Sequence, residues 1–332
     1  MQEFTQIIKS GQDLTAEQSE KVFDQIMSGQ IDEEEITEFL LALKAKGESP
    51  SEILGAARML RAKSKPTKIP AEVLDVCGTG GDGLNTLNIS TAVAFVVAGC
   101  GVPVAKHGGR AVSSKSGSAD VLTELGVNIT HQEKAEECFA HSNMCFMFAP
   151  DYHEAMKYVA AIRLKLKTRT IFNLLGPLLN PAKAKHQLIG VYSPHLLHPF
   201  AEVLRSLKTK KAWVVHGSDG LDEISISGET QIAELDNGVI DTFTITPEDA
   251  GLKRGKLENI AGGDAKHNAA AIIELLEGKA GTYRDIVLLN AAAALIVAEK
   301  THDLQEGVKL AAKSIDSGKA MEVLNKLRDL TK

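Results

Sequence analysis

Nothing in this sequence marks it for export, a membrane, a disulfide framework or a polyanionic surface. The four cysteines, Cys77, Cys100, Cys138 and Cys145, have no CxxC spacing and mostly sit in apolar runs. They are expected to be buried free thiols in a reducing compartment rather than disulfides or zinc ligands. The opening residues, Met-Gln-Glu-Phe-Thr, lack the basic, apolar and small-residue succession of a secretion signal, so the expected location is the cytoplasm. No apolar run is long enough to span a bilayer; the longest candidate, residues 286–298, contains Asn290, which reads as a satisfied buried amide. The net charge of -6 supplies no basic field and argues against a general nucleic-acid binder. Solenoid repeats and low-complexity tracts are also missing. What remains is a chain of 332 residues, 44% hydrophobic and 24% charged, enough for one large domain or two ordinary ones.

Residues 1–63 read as helices only. Thr15 with Gln18 is a capping box ahead of the apolar face Val22, Phe23, Ile26 and Met27, and Gly29 closes that helix. Asp32 with Glu35 opens a second helix. Ser49, Pro50 and Glu52 open a third. Residues 63–70 are a linker by composition. From residue 71, strands alternate with helices. Strands are expected at 73–77, 102–105, 144–148, 188–192, 212–215, 224–226 and 239–245. Helices are expected from 89, at 119–125, near 152–166 and 197–207, and from 264 to the end, with Asp264 or a neighbour as the cap. The fold class is therefore α/β: a small all-helical N-terminal domain, residues 1–69, and a larger α/β domain, residues 70–332, with a mostly parallel central sheet flanked by helices and a helical C-terminus. The N-terminal helices have too small a core of their own and need other apolar surface, either a helical insertion near 155–182 packing on them or a second copy of the chain. His195 and His198 read as the start of a surface helix, not a metal site.

The chemistry concentrates at strand tips. The run 73–77 stops at Gly78, Gly80, Gly81 and Gly83, and a helix follows with Asn88, Ser90 and Thr91 at its mouth. Strand, glycine loop and helix N-terminus together form an anion site. The spacing satisfies GxGxxG, but no acid stands between Gly83 and Asp120 to hold a dinucleotide's ribose, and no GxxxxGK[ST] is present. The second strand tip instead carries residues 106–118, with Lys106, His107, Arg110, Lys115, four serines and three glycines. That composition suits another phosphate group, against the plainer reading of a solvated basic loop. Two such loops imply a ligand with two phosphate groups, or with a phosphate and a diphosphate, and a cation. Adjacent Asp222 and Glu223 are suited to Mg2+ bridged to phosphates, against the plainer reading of two exposed acids in a turn.

These motifs carry a resemblance. Gly78-Thr-Gly-Gly-Asp82, Asn88-Ile-Ser-Thr91, Lys106-His-Gly-x-Arg110, residues 115–120, Arg169 to Pro177 with Asn180-Pro181, and Asp222-Glu223-Ile-Ser225 stand in the order and spacing of the anthranilate phosphoribosyltransferase family. The resemblance spans the whole chain. It implies a type III phosphoribosyltransferase fold, usually a homodimer through the helical part. It also implies an enzyme of tryptophan biosynthesis that moves the phosphoribosyl group of 5-phosphoribosyl 1-diphosphate onto the amine of anthranilate. The donor would be held by Gly78, Thr79, Gly81, Asp82, Thr86, Asn88, Ile89, Ser90, Thr91, Lys106, Gly108, Arg110, Ser113, Ser114 and Ser118. Mg2+ would be held by Ser90, Asp222 and Glu223, and anthranilate by Gly78, His107, Gly109, Arg163, Gly176 and Pro177.

Displacing diphosphate needs charge neutralisation, which falls to Mg2+ and Lys106, and an amine held behind the anomeric carbon, which falls to Arg163. His107 is a candidate donor or proton acceptor. Three residues depart from the family's usual pattern: Gly109 where Asn is usual, and Ala161 and Glu154 where prolines are common. Two rivals are a pyrimidine nucleoside phosphorylase and a non-catalytic nucleic-acid-binding relative. The first lacks a reason for Asp222-Glu223, and the second for intact donor motifs.

Overall fold

The computed structural model describes residues 1–111, 115–129 and 132–332. Four helices come first: α1 Gln2–Lys9, α2 Ala16–Ile26, α3 Glu33–Lys46 and α4 Pro50–Ala62. The expected capping box at Thr15 forms, and the Ser49 N-cap with Glu52 forms a second. Thr15 Oγ1 accepts from the Gln18 N–H at 3.2 Å and Gln18 Oε1 from the Thr15 N–H at 2.9 Å. Glu52 closes the other box at Ser49, and its fully buried carboxylate also accepts from the Leu14 N–H at 3.0 Å and pairs with Lys46. Asp32 is an N-cap by position, without a side-chain hydrogen bond to the helix.

The rest of the chain supplies β1 Leu74–Gly78, α5 Ile89–Gly99, β2 Val104–Gly108, α6 Ser118–Glu124, α7 Gln132–Ser142, β3 Met144–Phe148, α8 Ala149–Tyr152, α9 Lys157–Leu166, α10 Phe172–Leu175, β4 His186–Gly190, α11 Leu197–Ser206, β5 Lys211–Gly217, β6 Thr230–Asp236 and β7 Val239–Ile245. Four helices end it: α12 Ala265–Leu276, α13 Thr282–Val297, α14 Leu304–Asp316 and α15 Lys319–Leu330. The seven strands form one sheet in the order β3-β2-β1-β4-β5-β6-β7. The first five are parallel, and β6 and β7 are antiparallel.

The period of two along each strand sorts the core onto two faces. Leu188, Trp213, Val215 and Ile232 join the cluster under α5, α13, α14 and α15. Ile189, Val214, Ala233 and Leu235, one register step away, join Phe23, Phe39 and Ile53 of the N-terminal helices. Val159, Ile162, Phe172 and Leu175 lie in that second cluster too. Phe23 meets Phe39 and Phe172 edge-on at 6.0 and 5.8 Å, which locks the 157–175 helices to the N-terminal layer.

Two sequence readings need correction. Residues 224–226 are not a strand. The Ile224 backbone is satisfied instead by Asn290, which accepts from its N–H at 2.9 Å and donates to its carbonyl at 2.9 Å, while the Ser225 N–H donates to Thr230 Oγ1 at 2.9 Å. The strand in that region is β6, joined to β7 by Asn237 and Gly238 at φ +48° and +91°. Asn-Gly is the two-residue hairpin signature and could have revealed it. Helix α7 was not expected either. His195 and His198 are exposed ahead of and within α11, and Asp264 caps α12 through the His267 N–H at 2.8 Å, both as read.

Candidate active site

The order of strands reverses beside β1, which has β2 on one side and β4 on the other. Ligands of open α/β sheets collect outside strand C-termini at such a switch point. Here Gly78 of β1 is in register with Gly190 of β4. A Cβ on Gly190 would lie 1.4 Å from the Asp222 carbonyl oxygen, and one on Gly78 2.5 Å from Asp222 Oδ2. The two glycines therefore make room for Asp222 to lie across the strand tips. Its Oδ2 accepts from the Gly80 N–H at 2.7 Å. Gly80 and Gly81 hold φ of +67° and +81°, a region that favours glycine.

Glu223 Oε1 accepts from the Ser90 N–H at 3.2 Å, in the first turn of α5. The buried Lys106 ammonium donates to Ser90 Oγ at 3.2 Å and to the Val76 carbonyl at 2.5 Å. Ammonium, hydroxyl and carboxylate thus form one continuous set. Burial drives Glu223 up to about 7, with Lys106 opposing and Asp82 adding to the rise. Asp222 is pushed far above the carboxylate range by burial, then by Asp82 and Glu223. Three carboxyl groups that repel one another beside an anion-binding loop suit a divalent cation. Among the described residues no three His, Cys, Asp or Glu side chains make a complete metal cage. The donor set fits a metal that keeps waters and phosphate oxygens as further ligands. Thr91 Oγ1, one residue along, is buried without a partner among the described residues.

Asn88 ties the two loops together. Its side chain donates to the Ser116 carbonyl at 3.3 Å and accepts from Asn268 of α12 at 2.8 Å, and the Tyr283 hydroxyl donates to its carbonyl at 3.1 Å. Thr86 makes an isolated bridge to Ala261. Thr79 binds back to β4: its N–H donates to the Gly190 carbonyl at 2.9 Å, and its Oγ1 accepts from the Tyr192 N–H at 3.2 Å. In the second loop Asp120 accepts from the Ala111 and Gly117 N–H groups at 2.9 and 3.0 Å and pairs with Arg110 at 2.9 Å. A Cβ on Gly108 would meet Ser118 Oγ at 2.3 Å, so this turn closes tightly. Ser113 and Ser114, expected on the donor, lie outside the described residues.

On the acceptor side, the buried His107 Nδ1 lies 3.2 Å from the Gly176 carbonyl. A carbonyl only accepts, so Nδ1 carries the proton and Nε2 is bare. Burial, then His153, lowers this imidazole to about 3. Arg163, on α9, stands 5.7 Å over the Phe172 ring and makes no hydrogen bond or ion pair with any described residue. Burial lowers its guanidinium, which remains charged. Gly109 has open space where a Cβ would point, and its φ is not left-handed.

Sequence reasoning missed several residues here. Asp75 is fully buried, accepts from the His107 N–H at 3.1 Å and from Asn180 Nδ2 at 2.8 Å, and is raised by burial to about 6, with Lys106 opposing. Arg169 stacks 4.2 Å over Tyr192 and donates to the Gly81 carbonyl. Asn268 and Tyr283 also went unmarked. All four are distant in sequence from their partners; Arg169 stood in a motif of the resemblance without a site role, and no local pattern announces the other three.

Residues 2–64 match the glycosyl transferase family helical bundle domain, and residues 70–321 match the glycosyl transferase family a/b domain. An anthranilate phosphoribosyltransferase of Rhodopseudomonas palustris is 52% identical over 325 residues, covering 98% of this chain and 96% of the relative. The crystal structure of anthranilate phosphoribosyltransferase from Thermus thermophilus superimposes with a TM-score of 0.93 at 40% identity, covering 99% of each chain. The Saccharomyces cerevisiae enzyme in complex with PRPP and Mg superimposes with a TM-score of 0.90 at 30% identity, covering 99% of this chain and 97% of that one.

Proposed function

This chain belongs to the anthranilate phosphoribosyltransferases of the glycosyl transferase family, and from that premise we propose that it transfers the phosphoribosyl group of 5-phosphoribosyl 1-diphosphate to the amine of anthranilate, giving N-(5-phosphoribosyl)anthranilate and diphosphate in tryptophan biosynthesis. The observation that carries the reading is the continuous set at the β1 and β2 tips: Asp222 on the Gly80 N–H, Glu223 on the Ser90 N–H, and the Lys106 ammonium on Ser90 Oγ.

The donor lies along the glycine loop, residues 78–82, and the α5 mouth, Thr86 to Thr91, where backbone N–H groups and hydroxyls receive phosphate oxygens. The 108–118 loop receives its other charged end. Ser90, Asp222 and Glu223 would hold Mg2+, which when bound would supply charge neutralisation for the diphosphate. Lys106 adds a buried positive charge that needs no reorganisation as the leaving group departs. Arg163, with no counter-ion among the described residues, anchors the aryl carboxylate, while Gly176, Pro177, Gly78 and Gly109 shape the space for the ring. That anchoring holds the amine behind the anomeric carbon. His107 stays neutral and offers Nε2 as an acceptor to the amine.

The helical layer, residues 1–69 with 155–182, is proposed as the homodimer contact, and residues 70–332 as the donor-binding domain. Leu41, Tyr158 and Leu164 are exposed on α3 and α9, which Lys165 and Glu33 join by an ion pair at 2.6 Å. The buried or half-buried free cysteines support a reducing, cytoplasmic setting.

A fluorescence assay tests the reading. Anthranilate signal should disappear only with both 5-phosphoribosyl 1-diphosphate and Mg2+ present, and substituted benzoates without an amine should be inert. Ribosyl transfer dependent on free phosphate, with anthranilate untouched, would replace this reading with the phosphorylase one.

A further inference from the structure

Four consecutive carbonyls, residues 176–179, are each held by a side chain from a different part of the chain. Gly176 is met by His107 Nδ1 of β2 at 3.2 Å, and Pro177 accepts from Gln187 Nε2 of β4 at 3.0 Å. Leu178 accepts from Arg61 Nε of α4 at 2.6 Å, and Leu179 is met by His153 Nε2 at 2.9 Å. Each of the four holders keeps a second polar atom buried and unpartnered among the described residues: His107 Nε2, Gln187 Oε1, Arg61 Nη2 and His153 Nδ1. Leaving such atoms unmet is costly unless something else meets them. The carbonyls fix both tautomers, so His107 Nε2 and His153 Nδ1 are bare lone pairs. The two rings lie edge-to-face at 5.3 Å. Arg61 is the one member of this row that comes from the helical layer, 117 residues from its partner.

We propose that Arg61 is a positioning residue for the acceptor half of the transfer, pinning the carbonyl row so that His107 and His153 present bare ring nitrogens to the aryl amine. This rests on the function proposed above. The amine lone pair forms the C–N bond as the C–O bond to diphosphate breaks, its electrons leaving on diphosphate. One N–H proton then passes to the His107 Nε2 lone pair and on to diphosphate or solvent, restoring the neutral imidazole. The charged groups around the rings are Lys106 on β2, Asp75 on β1 at the His107 N–H, and Arg61 itself. Burial, then for His107 the His153 ring and Lys106, with Arg61 a smaller contribution to each ring, holds both imidazoles below their ordinary range, which keeps the lone pairs free at neutral pH.

Steady-state kinetics of Arg61→Met and Arg61→Lys test this, with the wild type assayed first. In Arg61→Met, kcat/KM for anthranilate should fall on the order of tenfold to a hundredfold, the size expected when a bound reactant is misplaced by about 1 Å. The KM for 5-phosphoribosyl 1-diphosphate should stay within about twofold, since no donor group is touched. Arg61→Lys, which keeps a donor and the charge, should recover part of the loss. Equal losses toward both substrates, or a lysine variant no better than methionine, would overturn the proposal. If Arg61→Met does not fold, 15N spectra of wild-type imidazoles decide. Neutral His107 with its proton on Nδ1 and neutral His153 with its proton on Nε2 are expected, and protonation or the opposite tautomer of either at neutral pH overturns it. A wild type inert toward anthranilate would instead sink the functional reading, whatever the spectra give.

Discussion

Glu223 is half-buried, and among the described residues its carboxylate has one amide N–H, from Ser90, in hydrogen-bonding contact. Such a group is costly until a cation arrives, so function and stability pull against each other at this residue. Glu223→Gln keeps the acceptor for Ser90 and removes the charge. It should melt higher than wild type without Mg2+, by about 1–3 kcal/mol of stability, and lose activity by at least about a hundredfold; melting curves with and without Mg2+ and the donor read both effects.

His107 has the opposite sign. Its imidazole is lowered from 6.5 to about 3 by burial and then by His153. The native state therefore binds fewer protons than the unfolded chain between those values. The stability tied to neutral His107 is present above 6.5 and is lost as pH falls below it, at about 1.4 kcal/mol per unit. Denaturant titrations should show a shallower loss toward acid in His107→Gln than in wild type, and parallel curves would refute it.

Gly109 leaves open space where the resemblance leads one to expect an amide. Gly109→Asn should lower the Michaelis constant for anthranilate, by the net worth of one hydrogen bond, about 0.5–1.5 kcal/mol. An unchanged or higher constant in steady-state kinetics would count against this placement of the acceptor.

Among the elements, the pairing of β1 with β4 decides whether the acidic pair can reach the site. The Gly190 Cβ position lies inside the Asp222 backbone, so Gly190→Ala must displace either β4 or the 217–223 turn. It should abolish Mg2+-dependent turnover and cost about 1–3 kcal/mol of stability, whereas Gly109→Ala, on an open position, should keep wild-type stability. Chemical denaturation of the two variants separates them.

This contrast also explains what could be read beforehand. The glycine loop, the second loop and the two capping boxes are local patterns, in which spacing along the chain already states the geometry. The roles of Gly190, Asp75 and Arg61 come from approach across the fold: Asp75 meets Asn180 over 105 residues, and Asn88 meets Asn268 over 180. Residues 224–226 misled for the same reason. They look like a short apolar strand, yet the Ile224 backbone bonds go to one amide on α13, the Ser225 N–H goes to Thr230 Oγ1 and the Ile226 carbonyl accepts from the Gly255 N–H, with no strand ladder among them. The missed β6 is different, because Asn237-Gly238 announced it locally and the alternation before it was short and mixed.

At the scale of the molecule, the N-terminal layer does two jobs with opposite faces. Its inner face shares a core with α9, α10, α11 and one side of the sheet. Together with α9 the layer leaves Leu164 at 74%, Tyr158 at 44% and Leu41 at 42% exposure, on helices held to each other by Lys165 and Glu33. Large apolar groups left in water on two adjoining helices are the usual mark of an interface. If a second copy covers them, charge placed there should split the dimer without touching the strand-tip chemistry. The double variant Leu41→Asp, Leu164→Asp should sediment as a monomer at concentrations where the wild type sediments as a dimer. Its Mg2+-dependent binding of the donor should persist, because the Asp222, Glu223 and Lys106 set lies at the strand tips and not on α3 or α9. A double variant that sediments with wild type would move the interface elsewhere. One that becomes monomeric and also loses donor binding would mean that the helical layer reaches the strand tips through its partner copy.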